Sequence, residues 1–519
     1  MGNKSWHAAL SCTLAIAMTA LAIAGCSNGK NEKEAASNVP TASNASNAPA
    51  EEKPFKLSIV TNFDGVEFPQ SGNEVQKAIE KGTNTELEIQ VLPGSTIGEK
   101  LPAMIASGEL PMAFAITNSQ LRLPYMVNAF QTGAIWELGP YLQDYPNLSQ
   151  IDPVIYSNTS VDGKIYGLPR VRSMARGAFL YRQDWLDNLG MKAPESIDDF
   201  YAMLKAFTLD DPDKNGKQDT YGMVATAANA KAFTVYFGAP NEWEEKDGQF
   251  TAAVTTDAYF EGIKFFKKLY DEKLINQDFA LADRTKYEEE FSTGKAGVEV
   301  DTITVGVKME ERIKKLNPEG VVGMISVLGG PLGKRLGTSN GTNGIISFPK
   351  DTVKSEAELK RILAFFDTLA GKEMSTLLRW GIEGKHYNLV NGKAEAIEAA
   401  STNYINEVNS PYTLTLATQL PEVNSIDGEM SRLKRMEIEM PMESIQYAVH
   451  NPVINLISET ASQKGGQLNK QIDDAIVKYV MGNINEDGWK AAVQHWRESG
   501  GDKIAQEYAE KFAKIQASN

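Results

Sequence analysis

The sequence predicts an α/β protein in which short apolar strands alternate with amphipathic helices. Two observations support this prediction. First, the composition is that of a globular chain: 42% of the 519 residues are hydrophobic and 23% are charged. Second, five segments near the start of the folded part alternate in type. They are strands at 55–60, 87–91 and 111–116, separated by helices at 74–82 and 99–107.

The order strand–helix–strand–helix–strand favours a parallel sheet with right-handed crossover connections. Gly108 closes the second of these helices, as glycine commonly does at helix ends. Ligands of such sheets bind at the carboxyl ends of the strands. The loops Thr61–Gln70 and Thr117–Gln120 are therefore the predicted site loops.

The same pattern continues through the rest of the chain. Ser196 is the predicted cap of the helix 197–207, and Asp257 is the predicted cap of an amphipathic helix through 271. Further helices are predicted at 184–189, 355–369 and over most of 471–516, with buried strands at 297–301, 321–327 and 344–348. Trp185, Trp489 and Trp496 have the apolar helical spacing of core residues.

Charge and cysteine content exclude several classes of protein. The net charge is −15, which argues against a nucleic-acid-binding protein because such proteins need clustered positive charge. The chain has two cysteines and four histidines, too few for a cysteine zinc site or an iron–sulfur cluster. We expect Cys12 to be removed with the N-terminal segment, so the mature protein should contain no disulfide.

Residues 1–25 are predicted to be a lipoprotein signal peptide. An apolar run from Ala8 to Ala24 ends in small residues before Cys26 and resembles a bacterial lipobox. The resemblance implies that Cys26 is acylated, with fatty chains such as palmitate, and becomes the first mature residue. Residues 26–54 are polar and should form a flexible tether. An uncleaved transmembrane helix is the alternative.

Five strings of residues in the body of the chain carry a family resemblance: Gly163–Pro169, Phe179–Gly190, Pro194–Phe200, Phe291–Gly297 and Arg379–Tyr387. In this order they resemble the extracellular solute-binding proteins of ABC importers (family 1 type), in particular the lipoprotein subgroup that includes the alginate-binding receptors. The resemblance implies a two-lobed, periplasmic-binding-protein-like fold of type II, with a hinge and an inter-lobe ligand cleft. It places the N-terminal lobe at 55–175 plus 340–430 and the C-terminal lobe at 176–339 plus 431–519.

The segment 211–222 has the spacing of a calcium-binding loop. Oxygen-bearing side chains occupy positions 1, 3, 5 and 9, and Gly216 at position 6 permits a sharp turn. Position 12 is Gly222 rather than the usual bidentate glutamate, and position 10, acidic in the alginate-binding relatives, is Thr220. A structural calcium ion is expected, and a solvated turn is the alternative. The predicted ligands are Asp211, Asp213, Asn215, the Lys217 carbonyl, Asp219 and Thr220.

Aromatic and polar side chains suited to sugars identify candidate ligand-binding residues. Aromatic rings stack on the apolar faces of sugars, and polar side chains bind their hydroxyls. Trp243 lies in what reads as a polar loop, whereas Trp380 ends an apolar helix and is as suited to core packing. The candidates are Asn62, Asp64, Arg176, Tyr236, Trp243, Asp301 and Trp380.

Arg170, Arg172 and Arg176 are crowded into seven residues, at a position where the family resemblance places an inter-lobe crossing. Arginine binds carboxylates through two parallel hydrogen bonds, so an acidic sugar is one hypothesis for the ligand. Ion pairs with nearby acids, or solvent exposure, are the alternative for each arginine.

We therefore expect a receptor rather than an enzyme. The chain lacks the nucleophile-elbow, zinc-protease, P-loop and dinucleotide-binding motifs. The expected protein is a monomer, lipid-anchored at the extracellular face of the membrane, that captures an oligosaccharide and delivers it to an ABC importer's membrane subunits. A secreted lipoprotein glycosidase or lyase, and a peptide receptor of the same architecture, remain alternatives.

Overall fold

Two mixed sheets organise the chain in the computed structural model, which describes residues 53–63, 68–397 and 404–518. Cys26 and Asp64 lie outside these residues. The strands are β1 (Phe55–Asn62), β2 (Thr85–Leu92), β3 (Ala113–Ile116), β4 (Leu168–Val171), β5 (Gly177–Arg182), β6 (Tyr221–Met223), β7 (Trp243–Lys246), β8 (Gln249–Ala252), β9 (Ala296–Thr302), β10 (Val322–Ile325), β11 (Leu328–Gly330), β12 (Gly333–Gly337), β13 (Thr342–Ser347), β14 (Tyr387–Val390), β15 (Lys393–Ala396) and β16 (Ala448–Val449).

The first sheet has the strand order β2-β1-β3-β13-β4. β1 pairs in parallel with both β2 and β3, which confirms the parallel arrangement predicted for the first three strands. β13 runs antiparallel to β3 and to β4. The sheet is therefore mixed, because a strand that arrives from far along the chain enters in the opposite direction.

The second sheet has the order β10-β5-β9-β6. β5 is antiparallel to both β10 and β9, and β6 is parallel to β9. Three smaller ladders accompany the two sheets: β11-β12-β16, β14-β15 and the hairpin β7-β8.

Helices cover both sheets. Their bounds are Glu74–Thr83, Gly94–Ser107, Asn118–Leu121, Pro124–Gln131, Pro153–Thr159, Gln183–Asn188, Ile197–Leu209, Asn229–Ala232, Asp257–Asp271, Arg284–Ser292, Gly306–Lys314, Glu356–Ala370, Lys372–Trp380, Leu414–Leu416, Pro421–Asn424, Arg432–Ser444, Glu459–Val480, Glu486–Trp496 and Asp502–Ser518. π-helical turns span Ile405–Thr413 and Arg497–Gly501. Over the described residues, every helix is too short or too polar to cross a membrane.

Two helix caps test the sequence predictions. Ser196 caps its helix as predicted, and its hydroxyl accepts a hydrogen bond from the Asp199 N–H at 3.1 Å. The prediction for Asp257 was wrong. Thr256 has the extended backbone of a cap and accepts from the Tyr259 N–H at 3.2 Å, so Asp257 is the first helical residue.

Each sheet has its own hydrophobic core. Around the first sheet, Phe348, Phe366 and Tyr412 are fully buried. Around the second, the large buried residues include Trp185, Phe207 and Phe233, together with the apolar face of the helices between 459 and 518. Trp185, Trp489 and Trp496 belong to this core, which confirms their prediction as packing residues.

Two extended segments connect the sheets and bond to each other. The chain passes from β4 to β5 through 172–176, and from β12 to β13 through 338–341. The Arg172 N–H donates to the Gly341 carbonyl at 2.8 Å, and the Ser339 N–H donates to the Met174 carbonyl at 3.0 Å. Gly341 has a φ of 79°, a conformation that favours glycine. This paired crossing is one place at which a hinge could bend, and its residues Met174 and Arg176 line the cleft described next.

Candidate functional site

The cleft lies where strand ends of the two sheets approach each other. The first sheet contributes the end of β4 and the start of β13, and the second contributes the start of β5 and the end of β9. Three cavities occupy it, with volumes of about 810, 600 and 500 Å³. Met174 and Arg176 line both larger cavities. The two larger cavities therefore share these two residues of the crossing segment.

The largest cavity is rich in aromatic side chains, and we call it the aromatic cavity. Its aromatic lining residues are Phe179, Tyr236, Trp243, Tyr259 and Trp496. Lys231 and Asp473 also line it and form an ion pair at 2.6 Å. The charge of this pair is therefore neutralised within the protein.

The two predicted aromatic candidates in this cavity already have partners in the protein. Tyr236 is 5% exposed, and its hydroxyl donates to the Ser326 carbonyl at 3.0 Å. Burial raises the pKa of Tyr236. Trp243 is 9% exposed, and its ring meets Tyr508 edge-on with centroids 5.2 Å apart. The reading of Trp243 as a loop residue was wrong: it begins β7 and packs under the C-terminal helices.

The 600 Å³ cavity contains all three clustered arginines, and we call it the arginine cavity. Arg170 is 2% exposed and donates to the Asn62 side-chain oxygen at 3.0 Å and to the Asn343 carbonyl at 2.8 Å. Both acceptors are neutral. Burial, with a contribution from Arg172, lowers the pKa of Arg170 to about 10, so the group stays charged at pH 7. Asn62 thus holds an arginine rather than lining the cavity itself.

Arg172 and Arg176 are half-buried, and within the described residues neither guanidinium makes a hydrogen bond or an ion pair. Burial lowers the pKa of both groups, and Arg176 lowers that of Arg172 further. The negative field of Asp301 partly offsets the effect at Arg176. Guanidinium groups that are partly removed from water usually acquire acceptors, because an unpaired buried charge is costly. The two groups offer up to ten N–H donors to a ligand.

Asp301 and Trp380 lie outside the three cavities. The Asp301 carboxylate accepts hydrogen bonds from Tyr287 and Arg284 at 3.1 and 3.2 Å. Side chains alternate along a strand, so its neighbours Val300 and Thr302 line the aromatic cavity while Asp301 faces the other way. Trp380 is 9% exposed and donates to the Ile426 carbonyl at 3.0 Å.

Sequence patterns did not predict two other contributors to the arginine cavity. The stretch 413–423 and the helix Arg432–Ser444 supply most of its apolar lining. They lie more than 230 residues from the arginines along the chain, and neither contains a motif. Only the tertiary structure brings them to the crossing segment.

The third cavity, of about 500 Å³, lies beside the segment Thr117–Gln120, which was predicted to be a loop but instead caps and begins the helix Asn118–Leu121. Asn118 and Ser119 line it, and the Asn118 amide donates to the Thr342 carbonyl at 2.7 Å. Arg122, also in its wall, donates to the carbonyls of Ser160 and Ile454 at 2.8 and 2.6 Å. These bonds tie the segment near 454 to the first sheet.

The loop after the helix Ile197–Leu209 gathers three carboxylates around one amide. The Asn215 side-chain N–H₂ group donates to Asp213 at 2.8 Å and to Asp219 at 3.2 Å. Asp211 accepts from the Asn215 and Gly216 backbone N–H groups at 3.1 and 3.0 Å. Burial and the neighbouring Asp211 and Asp219 charges raise the pKa of Asp213.

The oxygen donors of this loop suit a hard cation, which would relieve the repulsion among the three carboxylates. The Thr220 hydroxyl donates to the Phe207 carbonyl at 2.8 Å, so its proton is directed to the helix end. As the loop stands, no three Asp, Glu, His or Cys side chains in the described residues are grouped closely enough to surround a metal ion.

These observations define a class of protein: two α/β lobes, joined by paired crossing segments, with a ligand cleft between them. The chain belongs to the bacterial extracellular solute-binding protein family, whose profile matches residues 66–375. This confirms the family resemblance and the two-lobed fold inferred from the sequence.

Curated relatives match over most of the chain. Lipoprotein LipO of Bacillus subtilis is 34% identical over 500 residues, covering 95% of this chain and 96% of LipO. The polygalacturonan/rhamnogalacturonan-binding protein YtcQ of Bacillus subtilis is 37% identical over 441 residues, covering 84% and 87%. The structure of the alginate-binding protein AlgQ2 without calcium ion superposes with a TM-score of 0.62 at 18% identity, covering 89% and 98%.

Proposed function

We propose that this protein is a membrane-anchored extracellular receptor that captures an acidic oligosaccharide and delivers it to an ABC importer. One observation supports an acidic ligand: the half-buried guanidinium groups of Arg172 and Arg176 have no acceptors among the described residues. The relative YtcQ, named for binding polygalacturonan and rhamnogalacturonan, supports a saccharide ligand.

The role of the arginines follows from their chemistry. A guanidinium forms two parallel N–H···O bonds to a carboxylate, and such bonds are about twice as strong as those between neutral groups. The net charge of the chain is −15, so it repels polyanions at long range. Attraction of an acidic sugar therefore depends on short-range contacts inside the cleft, where Arg170 adds a third positive charge.

The mechanism is reversible capture. The two crossing segments are the hinge, and ligand carboxylates and ring faces contact both lobes as the cleft closes. Ligand binding shifts the population towards the closed form, which the importer's membrane subunits recognise. No covalent step is required, and release of cleaved sugars from incubated oligosaccharides would instead support the glycosidase or lyase alternative.

The acylated Cys26 is the proposed anchor, with residues 26–54 as its tether. Replacement by Cys26→Ser should abolish incorporation of a labelled fatty acid. Labelling of the variant at the level of the wild type would contradict the anchor. The proposed unit is a monomer, which light scattering of the unanchored protein can check.

The loop 211–220 is the proposed calcium site, with Asp211, Asp213, Asn215, the Lys217 carbonyl and Asp219 as ligands. When bound, calcium supplies positive charge that holds the carboxylates together and fixes the helix end to β6. The loop lies apart from the residues that line the three cavities, so this role is structural rather than ligand-binding.

A calorimetric titration tests the acidic ligand. Uronate oligosaccharides should bind, and carboxyl-reduced oligosaccharides of the same length and linkage should bind at least about tenfold more weakly, as expected from the loss of charge-assisted hydrogen bonds. Binding of the neutral forms alone would contradict the acidic ligand, and binding of peptides without any saccharide would contradict the ligand class.

A further inference from the structure

The arginine cavity has an unusual wall, which is aliphatic rather than aromatic. Leu414, Val423, Met442 and Ile445 line it and are 40, 65, 69 and 37% exposed. Its other lining residues include proline, leucine and isoleucine, and none of those described is aromatic. The ring stacking available in the aromatic cavity is therefore absent here.

The aliphatic wall comes from both lobes. Leu414 and Val423 belong to the stretch whose buried residues, such as Leu416, pack in the core of the first sheet. Met442 follows Leu433 on the helix Arg432–Ser444, and Leu433 packs in a core of the second sheet. Apolar surface thus faces the arginines from both sides of the cleft.

The acidic groups near this wall do not neutralise the arginines. Glu437 lines the cavity but forms an ion pair with Lys434 at 2.5 Å, and burial raises its pKa. The charge of Glu422 acts on Arg379, which also donates to the Glu422 carbonyl at 3.2 Å. Positive charge from Arg172 and Arg176 therefore remains directly beside an apolar surface.

We infer that the arginine cavity selects acidic sugars that carry small apolar substituents, such as O-acetyl or methyl groups, close to their carboxylates. This inference rests on the proposed function and specifies its substrate. An unsubstituted polyuronate presents hydroxyls and carboxylates on every side, and would leave the aliphatic wall against polar atoms. A methyl or acetyl group fills that space and removes apolar surface from water.

Matched ligands test the inference. An O-acetylated uronate oligosaccharide and the same material after mild alkaline deacetylation differ only in whether those positions carry an acetyl ester or a free hydroxyl. Methyl-bearing 6-deoxy sugars linked to uronates form a second arm. The substituted ligands should bind about tenfold or more tightly than the unsubstituted ones, as expected for a methyl-sized group in an apolar pocket.

Variants of the wall show whether it is responsible. Val423→Ser combined with Met442→Ser changes two exposed side chains and should fold. It should lower affinity for the substituted ligand more than affinity for the deacetylated ligand, so that the preference for substituted ligands is lost. Leu316→Ser is the matched control, since Leu316 is 68% exposed and lines none of the three cavities. It should retain the preference.

Each outcome distinguishes this inference from the proposed function. Equal binding of acetylated and deacetylated uronates overturns the inference while the acidic receptor stands. Failure of both to bind overturns the proposed function itself. Equal weakening of both ligands by the double variant would show that the wall serves contact between the lobes during closure, and would also overturn the inference.

Discussion

The aromatic and arginine cavities differ in whether their side chains already have partners within the protein. In the aromatic cavity, Tyr236 has a carbonyl acceptor and Trp243 packs against Tyr508. In the arginine cavity, Arg172 and Arg176 have no acceptor among the described residues. The aromatic side chains therefore contribute to folding before any ligand arrives, whereas the two half-buried arginines have N–H donors that no described residue of the protein uses.

An unpaired arginine is stronger evidence for a charged ligand than an unpaired carboxylic acid is. Glu299 is fully buried, and neither oxygen has a partner in the described structure. Burial, with the charges of Asp301 and Glu288, raises the pKa of Glu299 to about 8, so this group is mostly neutral at pH 7. Arginine cannot neutralise itself in that way near neutral pH. An unpaired, half-buried arginine therefore keeps its charge and favours an anionic ligand, whereas an unpaired buried glutamate becomes neutral and does not call for a cation.

Removal of both free arginines should have the largest effect. A hydrogen bond to a charged group contributes about 1.5–3 kcal/mol, so Arg172→Gln with Arg176→Gln should weaken uronate binding by about 10²–10⁴-fold. The melting temperature should change by no more than about 2 °C, because no protein partner is lost. Calorimetry and thermal unfolding measure the two quantities.

Arg361→Gln is the control for the type of substitution, because it removes one positive charge from an exposed residue outside the cavities. It should leave uronate affinity within about twofold of the wild type. The double variant could instead unfold at a much lower temperature and still bind uronates normally when folded. That result would show that the two arginines serve the fold rather than the ligand, and would contradict the contrast between the two cavities.

Truncation in the aromatic cavity should mainly affect stability. Trp243→Ala removes a buried ring from the core beneath the C-terminal helices, and should lower the free energy of unfolding by about 3–5 kcal/mol. Trp243→Phe keeps much of the packing and should lose less. Urea unfolding measures both. If Trp243→Ala is as stable as the wild type and only ligand affinity falls, the ring serves the ligand rather than the fold.

Glu299→Gln should change how stability depends on pH. The pKa of Glu299 is raised in the folded protein, so its contribution is fully present below the unfolded value near 4.5 and is lost as the pH rises towards about 8. Relative to the wild type, the free energy of unfolding of the variant should rise across that range by about 1 kcal/mol or less per pH unit. Urea unfolding of both proteins at pH 5.5 and pH 8 measures the difference. If the two proteins differ in stability by the same amount at both pH values, the pKa of Glu299 is not raised in the folded protein.

Calcium removal should have the smallest effect. Extracellular sites often bind calcium at about 0.1–1 mM, so 1 mM calcium should stabilise the protein by about 0.4–1.4 kcal/mol. A chelator should then lower the melting temperature by about 1–4 °C. Asp213→Asn should lose this response and Asp247→Asn, on an exposed turn outside the loop, should keep it. An unchanged response in Asp213→Asn would exclude the loop as the site.

The sequence predicted the features that depend on nearby residues. Hydrophobic alternation located β1 and β3, and the crowding of three arginines directed attention to 170–176. It could not predict that β13 joins the first sheet antiparallel, because that pairing joins residues more than 200 positions apart. Trp243 was misread for the same reason: its immediate neighbours are polar, and the helices that bury it lie about 250 residues later.

The central claim is that ligand carboxylates bind the free arginines of the cleft. A calorimetric cycle tests it most directly, with wild type and Arg172→Gln/Arg176→Gln titrated with a uronate oligosaccharide and its carboxyl-reduced counterpart at one salt concentration. The wild type should prefer the acidic ligand by at least about tenfold, and the double variant should bind the two ligands almost equally. The same preference in both proteins would contradict the claim.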